Sequence, residues 1–215
     1  TAYEMSVSDW SSDVCSSDFC GAADMYLFFD TETTGLPKNW KAPLTDLDNW
    51  PRMVQLAYFL ADADGNKILA GDFIIKPEGF TIPEEVVRIH GITTERANKE
   101  GVALGPVLQG FQAAMDRAQY LVAHNMSFDE KIVGAEFLRN GMPDSLPAKK
   151  RVCTMHSSTD YCAIPGPYGN KWPKLLELHT KLFKAGFESA HNAAADVAAM
   201  VKCFWELKRL GVIKL

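Results

Sequence analysis

Short apolar runs and segments with apolar residues three or four apart follow one another along this chain, and that pattern predicts most of its elements. Met25-Tyr26-Leu27-Phe28-Phe29 is an unbroken apolar run stopped by Asp30-Thr31-Glu32. A run of this kind, closed by a turn signal, predicts a strand buried on both faces. Met53 to Leu60 and Lys67 to Ile75 read as the second and third strands. Asp64-Gly65-Asn66 between them is a hairpin signal, so these two are expected to be antiparallel neighbours. Tyr120 to Ala123 is a fourth strand and Arg151 to Met155 a fifth.

Helical spacing fills the intervals. Pro83 to Ile89 reads as a short helix with proline at an early position, and another starts at Thr93 or Thr94 after His90-Gly91. Val107, Leu108, Phe111 and Met115 mark a helix over Val107 to Ala118. Ser127-Phe128-Asp129-Glu130 has the form of a capping box, with Glu130 reaching back, and its helix should run to about Asn140, where Gly141 and Pro143 stop it. Lys174 to Phe183 is helical. A last helix begins at Ala193 or Ala194 and reaches Leu210, with Val197, Val201, Phe204 and Trp205 as its core stripe and Lys202, Glu206 and Arg209 on the wet side. Pro37 to Pro51 and Pro165 to Gly169 read as loops.

Strands first, then helices interleaved with strands, predict an α/β domain: a mixed sheet of about five strands flanked by helices on both faces. No repeat or linker divides residues 25–215, which are expected to form one domain. Residues 1–24 differ. Their recurring Ser and Asp lack hydrophobic periodicity, so a disordered tail is expected, or an artefact similar to a translated sequencing adapter, with Met25 the natural start.

Composition narrows the function classes. Of 215 residues, 47% are hydrophobic and 23% charged, ordinary for a globular protein. No apolar run approaches the ~20 residues of a membrane span, and no secretory signal is evident. Five cysteines, an odd number without a C-x-x-C pair, point to reduced thiols and a cytoplasmic location. A net charge of −5 argues against coating a long duplex, where phosphates call for a basic surface, but not against gripping a few nucleotides at a strand end.

Side chains alternate along a strand, so Asp30 and Glu32 should share a side and Thr31 take the other. Two carboxylates at the end of a buried strand repel one another unless a cation lies between them. Asp129 lies in the first turn of the helix after the fourth strand, and His191-Asn192-Ala193-Ala194-Ala195-Asp196 opens the last helix. Four carboxylates and one imidazole suit hard divalent ions, and two such ions ~4 Å apart can serve phosphodiester hydrolysis. His191 is the candidate base, since an imidazole can accept a proton from water. Singly, each residue has a plainer reading: Asp129 and Asp196 suit a helix dipole, Asn125 suits a turn, and His191 can be a loop residue. Their joint occurrence favours chemistry.

Three ordered motifs resemble those of the DEDD-type 3′–5′ exonucleases with a histidine base, among them bacterial polymerase III proofreading subunits and TREX-like enzymes. They are F-D-T-E-T-T-G-L at Phe29–Leu36, H-N-x-x-F-D at His124–Asp129 and H-x-A-x-x-D at His191–Asp196. The resemblance covers about residues 25–210. It implies a ribonuclease H-like fold, with Asp30, Glu32, Asp129 and Asp196 as ligands of two Mg²⁺ or Mn²⁺ ions and His191 as general base. A nucleoside 5′-monophosphate would leave from a single-stranded 3′ end. Thr31, Thr33, Leu36, His90, Asn125 and Phe128 would contact the substrate, with a helix-ending role as the alternative for His90. Tyr168, Lys171 and Trp172 could grip a strand, although packing is the favoured reading of Trp172.

DNA is favoured over RNA by analogy with the proofreading branch. An RNA-end-processing exoribonuclease and a non-catalytic docking module of a polymerase assembly stay as alternatives. A polymerase partner is compatible with the motifs. With no polymerase-binding tail evident before Leu215, a free-standing enzyme is the expectation, as monomer or homodimer.

Overall fold

The structure, a computed structural model, describes residues 24–187 and 191–215. The tail expected over residues 1–24 therefore lies outside the described residues except for Asp24. The strands are β1 (Tyr26–Thr33), β2 (Met53–Ala61), β3 (Lys67–Ile74), β4 (Tyr120–Ala123) and β5 (Lys150–Cys153). They form one mixed sheet in the order β3-β2-β1-β4-β5, antiparallel on the β1–β2–β3 side and parallel across β1–β4–β5. The helices are α1 (Glu84–His90), α2 (Thr94–Glu100), α3 (Leu104–Arg117), α4 (Met126–Arg139), α5 (Thr154–Ser157), α6 (Thr159–Cys162), α7 (Leu175–Phe183) and α8 (Ala193–Arg209). The five-stranded α/β architecture agrees with the hydrophobic pattern.

β1 is the central strand, and its alternation divides the core. Leu27 and Phe29 face one side and pack with Leu108, Phe111 and Met115 of α3 and with Ile132, Val133 and Phe137 of α4. Tyr26 and Phe28 face the other and pack with Val197, Met200, Cys203 and Phe204 of α8 and Leu178 of α7. Both faces of the strand are covered, which is why its sequence reads as a continuous apolar run rather than an alternating one. Burying a side chain of this size contributes on the order of 1.5–3 kcal/mol, so the register of β1 is firmly set.

That register carries the acidic residues along with it. Continuing the alternation, Asp30 and Glu32 fall on the α8 side and Thr31 on the α4 side. β1 does not stop before the acids. It stays paired with β2 through Asp30 opposite Ala57 and Glu32 opposite Gln55, and the register slips only between Glu32 and Thr33.

Several boundaries depart from the sequence expectation. The capping box at Ser127 does not form. Asn125 takes the N-cap of α4 in the left-handed region (φ 78°), Ser127 Oγ donates to Asn125 Oδ1 at 3.2 Å, and Glu130 is drawn to Arg151 on β5 at 2.9 Å. A distant guanidinium out-competes the local backbone. β5 ends at Cys153, two residues early, because α5 begins at Thr154. The loop expected over Pro165 to Gly169 is a small hairpin of β6 (Pro165–Gly166) and β7 (Gly169–Asn170). Trp172 is not a packing residue: it stands 63% exposed, its ring 5.0 Å from that of His156.

Candidate active site

The site forms where the strand order reverses, at the carboxyl ends of β1 and β4, which is the usual place for a site in an open α/β sheet. Oxygens of Asp30, Glu32 and Asp196 all lie within 4.8 Å of one another. Asp30 and Glu32 are two residues apart on one face of β1, and the first turn of α8, packed on that face, supplies Asp196.

Asp129 arrives from the opposite face of the sheet. It is 3% exposed, and its Oδ1 accepts the backbone N–H of Thr31 at 3.0 Å and the Thr31 hydroxyl at 2.8 Å. It stands outside the tight triad of oxygens, but its charge acts on both Asp30 and Glu32. The left-handed Asn125, a conformation asparagine tolerates better than most side chains, makes the tight turn that carries the chain from β4 into α4. That turn sets Asp129 into the first helical turn.

The start of α8 is built differently. Asn192 caps it, accepting Ala195 N–H at 3.2 Å. Gln55 on β2, buried and opposite Glu32, donates to Asp72 at 2.6 Å and accepts Ala193 N–H at 3.3 Å. A single amide thus ties β3 and β2 to the helix that carries Asp196. The backbone N–H of His191, itself left-handed at φ 69°, donates to Asp196 Oδ2 at 3.0 Å. The histidine and the aspartate are therefore one mechanical unit, with the imidazole exposed to solvent.

The electrostatics follow from burial and crowding. Burial, then the charges of Asp129, Asp196 and Glu32, hold the Asp30 carboxyl well above the ordinary range. Burial, helped by Asp196 and Asp129, pushes Glu32 up to about 8. Burial raises Asp129 to about 7 against the opposing Thr31 hydrogen bonds, and Asp196 to about 6 against the His191 N–H. Such a group of acids gives up its protons readily only to a concentrated positive charge. An all-oxygen donor set with elevated proton affinity fits hard divalent cations such as Mg²⁺ or Mn²⁺.

Residues 27–204 match the Exonuclease family. The chain belongs to that family. The PolC-type DNA polymerase III of Lactococcus lactis subsp. lactis (strain IL1403) is 31% identical over 174 residues, 81% of this chain but 9% of that protein. Among solved structures, the zinc-bound E. coli exonuclease I–ssDNA complex shares the fold with a TM-score of 0.68 at 23% identity, covering 87% of this chain and 41% of that one. A product-bound exonuclease I gives 0.66 at 21% identity, over 87% and 44%. The exonuclease domain thus spans a small part of the polymerase and under half of exonuclease I.

The remaining motif residues of this exonuclease domain occupy distinct places. Thr31 is buried with its hydroxyl engaged on Asp129, so its observed contact is to a carboxylate rather than to open space. Thr33 is buried too, and its hydroxyl donates to Gly35 O at 2.7 Å. Gly35 adopts φ 150°, which L side chains rarely enter, and the turn throws Leu36 out to 72% exposure. The turn is closed by Thr34 N–H to Arg52 O and Arg52 N–H to Thr34 Oγ1, both at 2.9 Å.

His90 is buried at the end of α1. Its Nδ1 accepts Ile92 N–H at 3.1 Å, and its Nε2 has no hydrogen bond of good geometry. Burial holds its imidazole below the ordinary value, opposed by the Thr33 backbone beside it. The proton therefore resides on Nε2, next to the Thr33 turn.

His124, the first residue of the second motif, is a clamp. The Thr154 hydroxyl donates to its Nδ1 at 2.9 Å, and its Nε2 meets Pro173 O at 3.0 Å. Burial pushes it down to about 4, so it stays neutral. Sequence reasoning overlooked Gln55 as a positioning residue. The signal was there: one amide in the otherwise apolar run Met53–Leu60.

Proposed function

We propose that this domain is a divalent-metal-dependent 3′–5′ exonuclease that removes nucleoside 5′-monophosphates from single-stranded DNA ends. The observation that carries the reading is the gathering of Asp30, Glu32 and Asp196 oxygens within 4.8 Å, with His191 tied to Asp196 by a 3.0 Å backbone hydrogen bond. The family supports a phosphodiester substrate. The polymerase relative and the single-stranded DNA in the exonuclease I complexes support DNA over RNA.

Asp30, Glu32, Asp129 and Asp196 would hold two Mg²⁺ or Mn²⁺ ions. Bound there, the ions supply Lewis-acid stabilisation of charge on the attacked phosphate and the leaving oxygen. The chain's own groups do the rest. The exposed His191 imidazole accepts the proton of the attacking water, which adds to phosphorus. The P–O3′ bond breaks, the nucleoside 5′-monophosphate keeps the water's oxygen, and the departing O3′ takes a proton from solvent to become the 3′-hydroxyl of the shortened strand. Thr31 holds the Asp129 carboxylate at a fixed angle, and Gln55 holds the start of α8. Leu36 and Phe128 flank the terminal nucleotide. Thr33 and Asn125 shape its pocket, and His90 Nε2–H borders it.

In the same reading residues 25–215 are one exonuclease domain, working in the cytoplasm. Asp30→Ala and His191→Ala serve as controls. The test is degradation of matched 3′- and 5′-labelled single-stranded DNA and RNA with Mg²⁺, Mn²⁺ or EDTA. Stepwise loss from the 3′ end, abolished by EDTA and faster on DNA, is expected. No degradation with either metal would overturn the catalytic reading in favour of a docking module, and faster loss of RNA would reassign the substrate.

A further inference from the structure

Trp40 is a large apolar side chain held in water by a loop that is firmly tied down. Asn39 N–H donates to Oδ1 of the buried Asn49 at 2.7 Å, and Asn49 Nδ2 donates to Asn39 O at 3.0 Å. Both backbone groups of the residue before Trp40 are thereby engaged. Asn39 Oδ1 accepts Lys41 N–H at 2.9 Å on the other side. Farther along the loop, Arg139 Nη2 donates to Trp50 O at 2.6 Å, and Arg52 and Arg139 share the fully buried Glu136 at 2.9 and 3.0 Å.

Against this scaffold Trp40 remains 48% exposed. Its ring lies 5.8 Å from that of Phe128, tilted by 48°, and Phe128 immediately precedes Asp129. Lys38 and Lys41, both exposed, flank it. Burial does not explain an indole half in solvent on a rigid loop. Stacking does, because a base gains most from an aromatic plane that is already in place. Phe128, next in sequence to Asp129, and Trp40 are thus neighbouring rings, and two exposed lysines flank the second in sequence.

We propose that Trp40 stacks on the nucleobase immediately 5′ of the terminal nucleotide of a single-stranded substrate, with Lys38 and Lys41 beside its phosphates. This rests on the exonuclease reading above. It predicts that the domain engages more than the nucleotide it removes.

The test compares Trp40→Ala, Trp40→Leu and Trp40→Phe on a short oligothymidylate and on the p-nitrophenyl ester of thymidine 5′-monophosphate, which has no upstream base. For Trp40→Ala the oligonucleotide KM is expected to rise roughly tenfold or more, the range of one lost base–aromatic stack, with a much smaller change in kcat. The ester should lose far less than the oligonucleotide. Trp40→Phe should recover most of the loss and Trp40→Leu little. An unchanged oligonucleotide KM, equal losses on both substrates, or Leu performing as well as Phe would each overturn the proposal.

Anisotropy of a fluorescent oligothymidylate in EDTA and in Ca²⁺ separates this inference from the catalytic one. Trp40-dependent binding by a chain that degrades nothing would leave the stack standing and remove the exonuclease reading. Degradation indifferent to Trp40 would do the reverse, and no binding at all would overturn the stack.

Discussion

Two helix starts each deliver an aspartate to the site, and they do it in opposite ways. At α4, Asp129 is buried and locked to β1 by two hydrogen bonds from Thr31, so it moves only if the sheet moves. At α8, Asp196 is partly exposed and bonded to the backbone of His191, the proposed base. One carboxylate belongs to the framework and the other, in the proposed mechanism, to the reacting machinery. Favourable placement at a helix N-terminus is common to both; what differs is whether the partner is a strand or a loop.

The largest effects should ignore that difference. Removing either proposed ligand, as in Asp129→Ala or Asp196→Ala, is expected to reduce turnover by roughly a thousandfold or more, because charge stabilisation at the phosphate would go with it. Single-turnover assays of folded protein measure this, and retention of even a tenth of parental activity by either variant would break the ligand assignment. His191→Ala comes next, with a loss of about 10²–10⁴-fold. The Asp196 placement by backbone N–H should survive in that variant, so Mn²⁺ affinity by calorimetry is expected to change little. A collapse of metal affinity there would mean the imidazole itself is a ligand.

Thr31→Val tests the framework side. It keeps the backbone hydrogen bond and deletes the hydroxyl one, so activity or metal affinity should fall about 10–100-fold, as for other groups that orient ligands. The α8 counterpart is Gln55→Leu, which leaves Ala193 N–H and Asp72 without their partner. A loss of about 1–3 kcal/mol in chemical denaturation is expected, with a smaller loss of activity than Thr31→Val. If Gln55→Leu proved the more damaging to turnover, the distinction between framework and machinery would have to be redrawn.

The last effect is one of pH. Asp30, Glu32, Asp129 and Asp196 all hold protons to higher pH in the folded chain than their ordinary values allow, Glu32 up to about 8. From about pH 4 to about 8 the folded state therefore binds more protons than the unfolded one, and stability falls as pH rises through that window. Metal-free protein should melt lower at pH 8 than at pH 5, and Mg²⁺ should raise the melting temperature more at pH 8. Asp30→Asn should flatten the metal-free slope while abolishing turnover. A melting temperature that climbs with pH in EDTA would contradict the crowding of the four acids.

Local pattern carried far where one residue's neighbours decide its state. The apolar run before Asp30, the spacing in α8 and the hairpin signal at Asp64-Gly65-Asn66 each led to the element observed. The pattern misled where a distant group intervened. Glu130 pairs with Arg151 instead of closing a capping box. Trp172 lies in solvent although its size suggests a core.

The same division holds for the site. Sequence alone determined the residue types, their order and the strand alternation that sends Asp30 and Glu32 one way and Thr31 the other, because these depend on covalent neighbours and on the period of a strand. Only the tertiary structure decided that α8 lays Asp196 beside that pair while α4 brings Asp129 from the far face. It also decided that Gln55 bridges β3 to α8 and that Asn49 holds Asn39 ahead of Trp40. Those arrangements depend on hydrogen bonds and packing between residues far apart in the chain, whose geometry exists only once both faces of β1 are buried.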